Sequence, residues 1–113
     1  MQVIFESRDP RASELRSMAE RRVRFVMRRL AWLVPRARVL LSDINGPRGG
    51  VDKRCQVELK SDVLGTVVIT AVARDWRSAF ESALARAAQV LVRGWQRQRQ
   101  HPRNRMLPIG LDA

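Results

Sequence analysis

The sequence predicts an α+β domain of order βαβββα, a four-stranded mixed sheet with two helices packed on one face. Three observations predict it. Four short segments are rich in alternating or β-branched apolar residues, two longer ones repeat apolar residues every three or four positions, and clusters of Gly, Pro, Asn and Asp separate them. The 113 residues suit one domain, and a 45% hydrophobic content can fill one core.

Residues 2–6 (QVIFE) read as the first strand, with Val3 and Phe5 on one face. Asp9 caps a helix, and Pro10 suits its first position, where no amide hydrogen is needed. Leu15, Ala19, Val23, Val26, Leu30 and Leu33 recur at helical spacing and define its buried face, and Pro35 closes it. Residues 38–44 (RVLLSDI) return to an extended pattern, followed by the turn formers of residues 45–50. From Lys53 to Lys60 the alternation is clean: Cys55, Val57 and Leu59 inward, Arg54, Gln56 and Glu58 outward. A turn over 62–65 leads to the β-branched strand 66–73 (TVVITAVA). Asp75 then caps a second helix with Trp76, Phe80, Ala83, Leu84, Ala87 and Leu91 on its core face. It runs to about Gly94 or a turn or two beyond. A right-handed crossover makes the first two strands parallel, and hairpins make the others antiparallel. The folded domain is expected over residues 1–98, with a basic, flexible tail over 99–113.

Charge is the most informative feature for function. Lys and Arg number 22 against 11 Asp and Glu, a formal net charge of +11. Lys53 and Lys60 are the only lysines, so twenty of the 22 are arginine. A surface that positive attracts polyanions and gains affinity by releasing their counterions; arginine adds a planar fork that grips phosphate. On the first helix Arg21, Arg24 and Arg28 point away from the core line, and Arg22 and Arg29 lie near its border. On the second, Arg86, Arg93 and Arg97 form a stripe. With the helices side by side, the two sets are expected to combine into one positive ridge that follows RNA phosphates. The third strand (KRCQVELK) has no aromatic residue on which a base could stack, so recognition by the helices is expected instead of reading by the sheet.

Other chemistries find little support. One histidine, His101, and one cysteine, Cys55, cannot build a triad or a structural zinc site, and no carboxylates are visibly paired. No enzymatic activity, metal, cofactor or small-molecule substrate is therefore expected. Gly46-Pro47-Arg48-Gly49 spells a nucleic-acid-clamping GxxG, but it joins two strands where that loop joins helices. The opening MQVIFESRDPR lacks a secretory design and no apolar run is long enough to span a bilayer, so a cytoplasmic chain is expected, without membrane contact. Trp32 and Trp95 lie off both core lines; packing between the helices or against a partner both remain open.

The order and spacing of these segments resemble the ribosome hibernation factors, the family of hibernation promoting factor and the ribosome-associated inhibitor RaiA. The carriers are MQVIF, SELRSMAERRVRFVMRRL, RVLLSDI, the pair CQVELK and GTVVITAVA, and the junction Asp75-Trp76-Arg77-Ser78-Ala79-Phe80-Glu81. That junction is similar to the family's Asp-Met-Tyr-x-Ala-Ile-Asp. The resemblance implies a βαβββα domain that binds the small ribosomal subunit and its ribosomal RNA in the decoding channel, excluding transfer RNA and messenger RNA. It implies basic contacts from Arg22 on the first helix and from Arg86 and Arg93 on the second. Gln89 and Phe25 depart from it, standing where members often carry basic residues; Arg21, Arg24, Arg28 and Arg29 can compensate. The separate dimerising domain of the long form is absent, so a monomer is expected, with weak self-association through Val68 and Val72. Two other readings stay open: a double-stranded-RNA-binding module, which would start with a helix, and a protein-interaction regulator of transcription.

Overall fold

A computed structural model describes residues 1–44 and 52–100, the last of these in its backbone only. Strands β1 (Gln2–Ser7), β2 (Arg36–Asp43), β3 (Lys53–Ser61) and β4 (Gly65–Ala73) form one sheet in the order β1-β2-β3-β4. β1 pairs parallel with β2, Phe5 opposite Val39. β2–β3 and β3–β4 are antiparallel, aligning Val39, Val57 and Ile69. Helix α1 (Arg16–Val26) lies in the crossover between β1 and β2, and α2 (Trp76–Gln100) follows β4. This is the α+β class and strand order that the patterning predicts.

Alternation along the strands decides which face the helices cover. Phe5, Val39, Cys55, Val57 and Leu59 are buried and pack in one core with Ala19, Val23 and Met27 of the α1 region and Phe80, Leu84 and Leu91 of α2. The opposite sheet face is open, and Val68 and Val72 on it are exposed. The turn into β4 uses Gly65 at φ 83°, a left-handed conformation that costs glycine least.

The long first helix of the sequence reading is corrected. Pro10–Leu15 forms 3₁₀ turns: Ala12 N–H bonds Asp9 O and Arg16 N–H bonds Ser13 O, each three residues back, and the Ser13 hydroxyl donates to Pro10 O at 2.6 Å. α1 spans only 11 residues. Beyond it, Leu30 N–H bonds Met27 O, Leu33 N–H bonds Leu30 O and Val34 N–H bonds Ala31 O, all three residues back. A 3₁₀ path stacks every third residue, so Met27, Leu30 and Leu33 share a side. Met27 therefore occupies the core where Val26 was expected, and Val26 is only partly buried. β2 begins at Arg36, two residues early, because the Pro35 carbonyl already accepts the Gln2 N–H at 2.8 Å.

α2 carries the buried face read from the sequence, with Ala79 added and Trp76 only partly covered. It reaches Gln100, so residues 99 and 100 of the expected tail are helical. Residues 101–113, His101 among them, and the Gly46–Gly49 loop lie outside the described residues. No helix among the described residues is long and apolar enough to cross a membrane.

Candidate nucleic-acid interface

Two charge populations separate on this scaffold. One is spent internally. At the end of the sheet beside the start of α2, Lys53 Nζ donates to Asp52 at 2.8 Å and to Asp43 at 3.2 Å. Arg11 bonds Asp9 at 2.7 Å and Asp43 at 3.3 Å. Both cations lie over the Trp76 ring, whose Nε1–H donates to Ser42 O at 3.1 Å. The Arg11 guanidinium and amide hold the Asp9 carboxyl down at about 2, and the Asp52 carboxylate raises the Lys53 ammonium above its ordinary value. On the open sheet face Arg38 pairs with Glu6. These groups brace the fold.

The other population faces solvent, with Arg36, Arg54 and Lys60 on the open sheet face and a larger set on the helix layer. Arg21 and Arg29 are exposed, as are Arg86, Arg93 and Arg97, and none of the five makes an ion pair among the described residues. The remaining predicted contacts are partly engaged. Arg22 is half-buried and forks onto Glu81 of α2 at 3.1 and 3.2 Å. Arg24 donates to Met1 O at 3.1 Å, which turns it toward the β1 edge. Arg28 donates to Phe25 O at 2.7 Å.

Two contacts show which side of α2 faces the α1 segment, Glu81 with Arg22 and Trp95 with Trp32, and Val92 lines a shallow pocket together with Val26 and Leu30. At about 100° per residue, Arg86, Arg93 and Arg97 lie roughly 120–160° around α2 from Glu81. The single ridge expected from the sequence is therefore corrected: the α2 stripe points outward and away from α1. The helix layer instead presents two basic banks, with a seam between them.

The seam is aromatic and apolar. Trp32 and Trp95 meet edge to face, ring centroids 5.1 Å apart, so the undecided tryptophans pack between the helical segments. Trp32 nevertheless stays 66% exposed, and its indole N–H donates to Arg29 O at 3.2 Å. Phe25 is 56% exposed, with the Arg28 guanidinium 4.2 Å above its ring and that of Arg22 at 5.8 Å. Val26, Leu30 and Val92 line a shallow pocket flanked by Arg28 and Arg29. In the sequence Phe25 stands where the resembling family often carries a basic residue; its neighbours Arg22, Arg24 and Arg28 are the only local sign of an exposed ring among cations.

No family model matches this chain, and no curated protein does. Solved structures do. A ribosomal subunit interface protein from Coxiella burnetii superposes with a TM-score of 0.63 at 14% identity, over 82% of this chain and 96% of that one. The N-terminal domain of Protein Y from Thermus thermophilus gives 0.62 at 18% identity, over 82% and 98%. This chain has their fold. At those identities the likeness covers architecture and leaves the side chains of the interface to be judged on their own geometry. Within that architecture α1 and α2 form one layer over the sheet, which is why both basic banks lie on the same side of the molecule.

Among the described residues no group of three or more His, Cys, Asp or Glu is placed to hold a metal ion. Burial pushes the Cys55 thiol up to about 12, far from a nucleophile's range. What this surface can do is bind: neutralise phosphates along both banks and offer ring faces between them.

Proposed function

We propose that this chain binds the small ribosomal subunit through its ribosomal RNA, occupies the decoding channel as a monomer in the cytoplasm, and so excludes transfer RNA and messenger RNA. The observation that carries this reading is the concentration of arginine on the helix layer. Arg21, Arg29, Arg86, Arg93 and Arg97 project from that one layer without acidic partners among the described residues. The resemblance of the sequence to hibernation factors supports it, as does the fold shared with a protein named for the ribosomal subunit interface. Occlusion needs phosphate neutralisation and shape fit, with no covalent step.

The double-stranded-RNA-binding reading fails on topology. That fold starts with a helix, whereas here residues 2–7 form a strand paired beside residues 36–41. A protein partner remains the competing outcome, and pull-down with and without ribonuclease separates it, since a protein complex survives digestion.

Co-sedimentation with purified small subunits tests the proposal directly. The double variant Arg86→Glu, Arg93→Glu should fold normally, because both side chains are exposed and unpaired, and should lose subunit association. Retained association would overturn the assignment of the α2 bank.

A further inference from the structure

The banks account for phosphates and leave the seam unexplained. Single exposed apolar side chains are ordinary, but exposed rings gathered beside an apolar pocket and ringed by cations mark an interaction surface. Here Phe25 and Trp32 sit on the most basic layer of the molecule, exposed at 56% and 66%. Neither is loose. The Arg28 guanidinium is held against Phe25 by its bond to the Phe25 carbonyl, and Trp32 is fixed by its edge contact to Trp95 and by its N–H to the Arg29 carbonyl. Each ring or guanidinium plane is thus set before any ligand arrives.

We infer that Phe25 with its stacked Arg28, and Trp32, are stacking platforms for unpaired RNA bases, so that the strand this layer prefers is single-stranded. The inference rests on the proposed RNA-binding function and deepens it by naming the form of RNA bound. Charge complementarity chooses the occupant: the seam is flanked by Arg28 and Arg29, and the acid that α2 presents toward α1, Glu81, is already paired with Arg22. A base presents an apolar face to the rings while its phosphates reach the arginines. A duplex keeps its bases stacked inside and offers only phosphates and sugars. Arginine stacked on an aromatic ring also gives a base a second planar surface to lie on.

The probes are a twelve-nucleotide oligouridylate, an abasic strand of the same length, and an RNA duplex of equal phosphate number, each titrated at several salt concentrations. The oligouridylate should bind roughly tenfold tighter than the abasic strand, and Phe25→Ala should erase most of that difference without changing the salt slope. Phe25→Leu, which keeps the apolar bulk and loses the π face, should behave like Phe25→Ala. Arg93→Gln should instead lower the slope by about 0.7 for one lost phosphate. Binding should quench tryptophan fluorescence, and Trp32→Phe should remove that quenching. Equal affinity for oligouridylate and abasic strand, or a preference for the duplex, overturns the stacking inference while subunit co-sedimentation still stands. Failure of all three RNAs and of the subunit to bind overturns the functional proposal with it.

Discussion

Cys55 shows how a single position trades reactivity for packing. On β3 it faces the core with no exposed surface, and desolvation pushes its thiol up to about 12, so almost no thiolate exists near neutrality. Iodoacetamide should leave it untouched in the folded protein at neutral pH and modify it once denaturant opens the core. Rapid labelling of the native state would show that β3 is not enclosed as described. Arg22 and Glu81 show the opposite case, a pair in partial contact with water. Their side chains are 39% and 36% exposed, so screening limits the bridge to less than about 1 kcal/mol of stability. Glu81→Gln should therefore barely move the melting temperature. It should tighten RNA binding several-fold, because it releases the Arg22 guanidinium for phosphate. Unchanged affinity in filter binding would place Arg22 outside the interface.

At the scale of elements, capping and backbone chemistry decide what periodicity leaves undecided. α2 begins where Asp75 Oδ1 accepts the Ser78 N–H at 2.7 Å and Oδ2 accepts the Ser78 hydroxyl at 3.0 Å, contacts that also lower the Asp75 carboxyl. Asp75→Ala should destabilise the domain by about 1 kcal/mol, seen as a melting temperature lower by about 5 °C. No change would mean that α2 is held by packing alone. The first helical stretch went differently. Its apolar spacing fits an α-helix from Leu15 to Leu33, yet three-residue backbone bonds near its start and again near its end leave 11 α-helical residues. Spacing by threes and fours fits both helix types, so sequence periodicity alone could not separate them.

For the whole molecule, the net charge of +11 is less telling than where it is left unpaired. Arg11, Lys53, Arg38 and Arg22 are matched by acids within the fold, and of the exposed cations without an ion pair among the described residues the larger share stands on the helix layer, with Arg36, Arg54 and Lys60 on the open sheet face. If six to ten phosphates are neutralised there, subunit affinity should fall by roughly a thousandfold or more between about 50 and 200 mM salt. Co-sedimentation at these two concentrations measures it, and an affinity indifferent to salt would remove the electrostatic basis of the proposed function.

The α+β class, the strand order, the inward set Cys55, Val57 and Leu59, and the α2 core face from Phe80 to Leu91 were all legible in the chain. Each depends on the period of side chains along one element, which is a local property. The exposed arginines were legible too, as residues opposite a core stripe. What no local pattern could contain was their relation to one another. The Arg22–Glu81 pair joins positions 59 apart, and the Trp32–Trp95 contact is longer still. Those contacts show which flank of α2 lies toward α1 once its core face is seated on the sheet. That choice of flank divides the arginines into two banks on either side of an aromatic seam, and only packing two helices onto one sheet could make it.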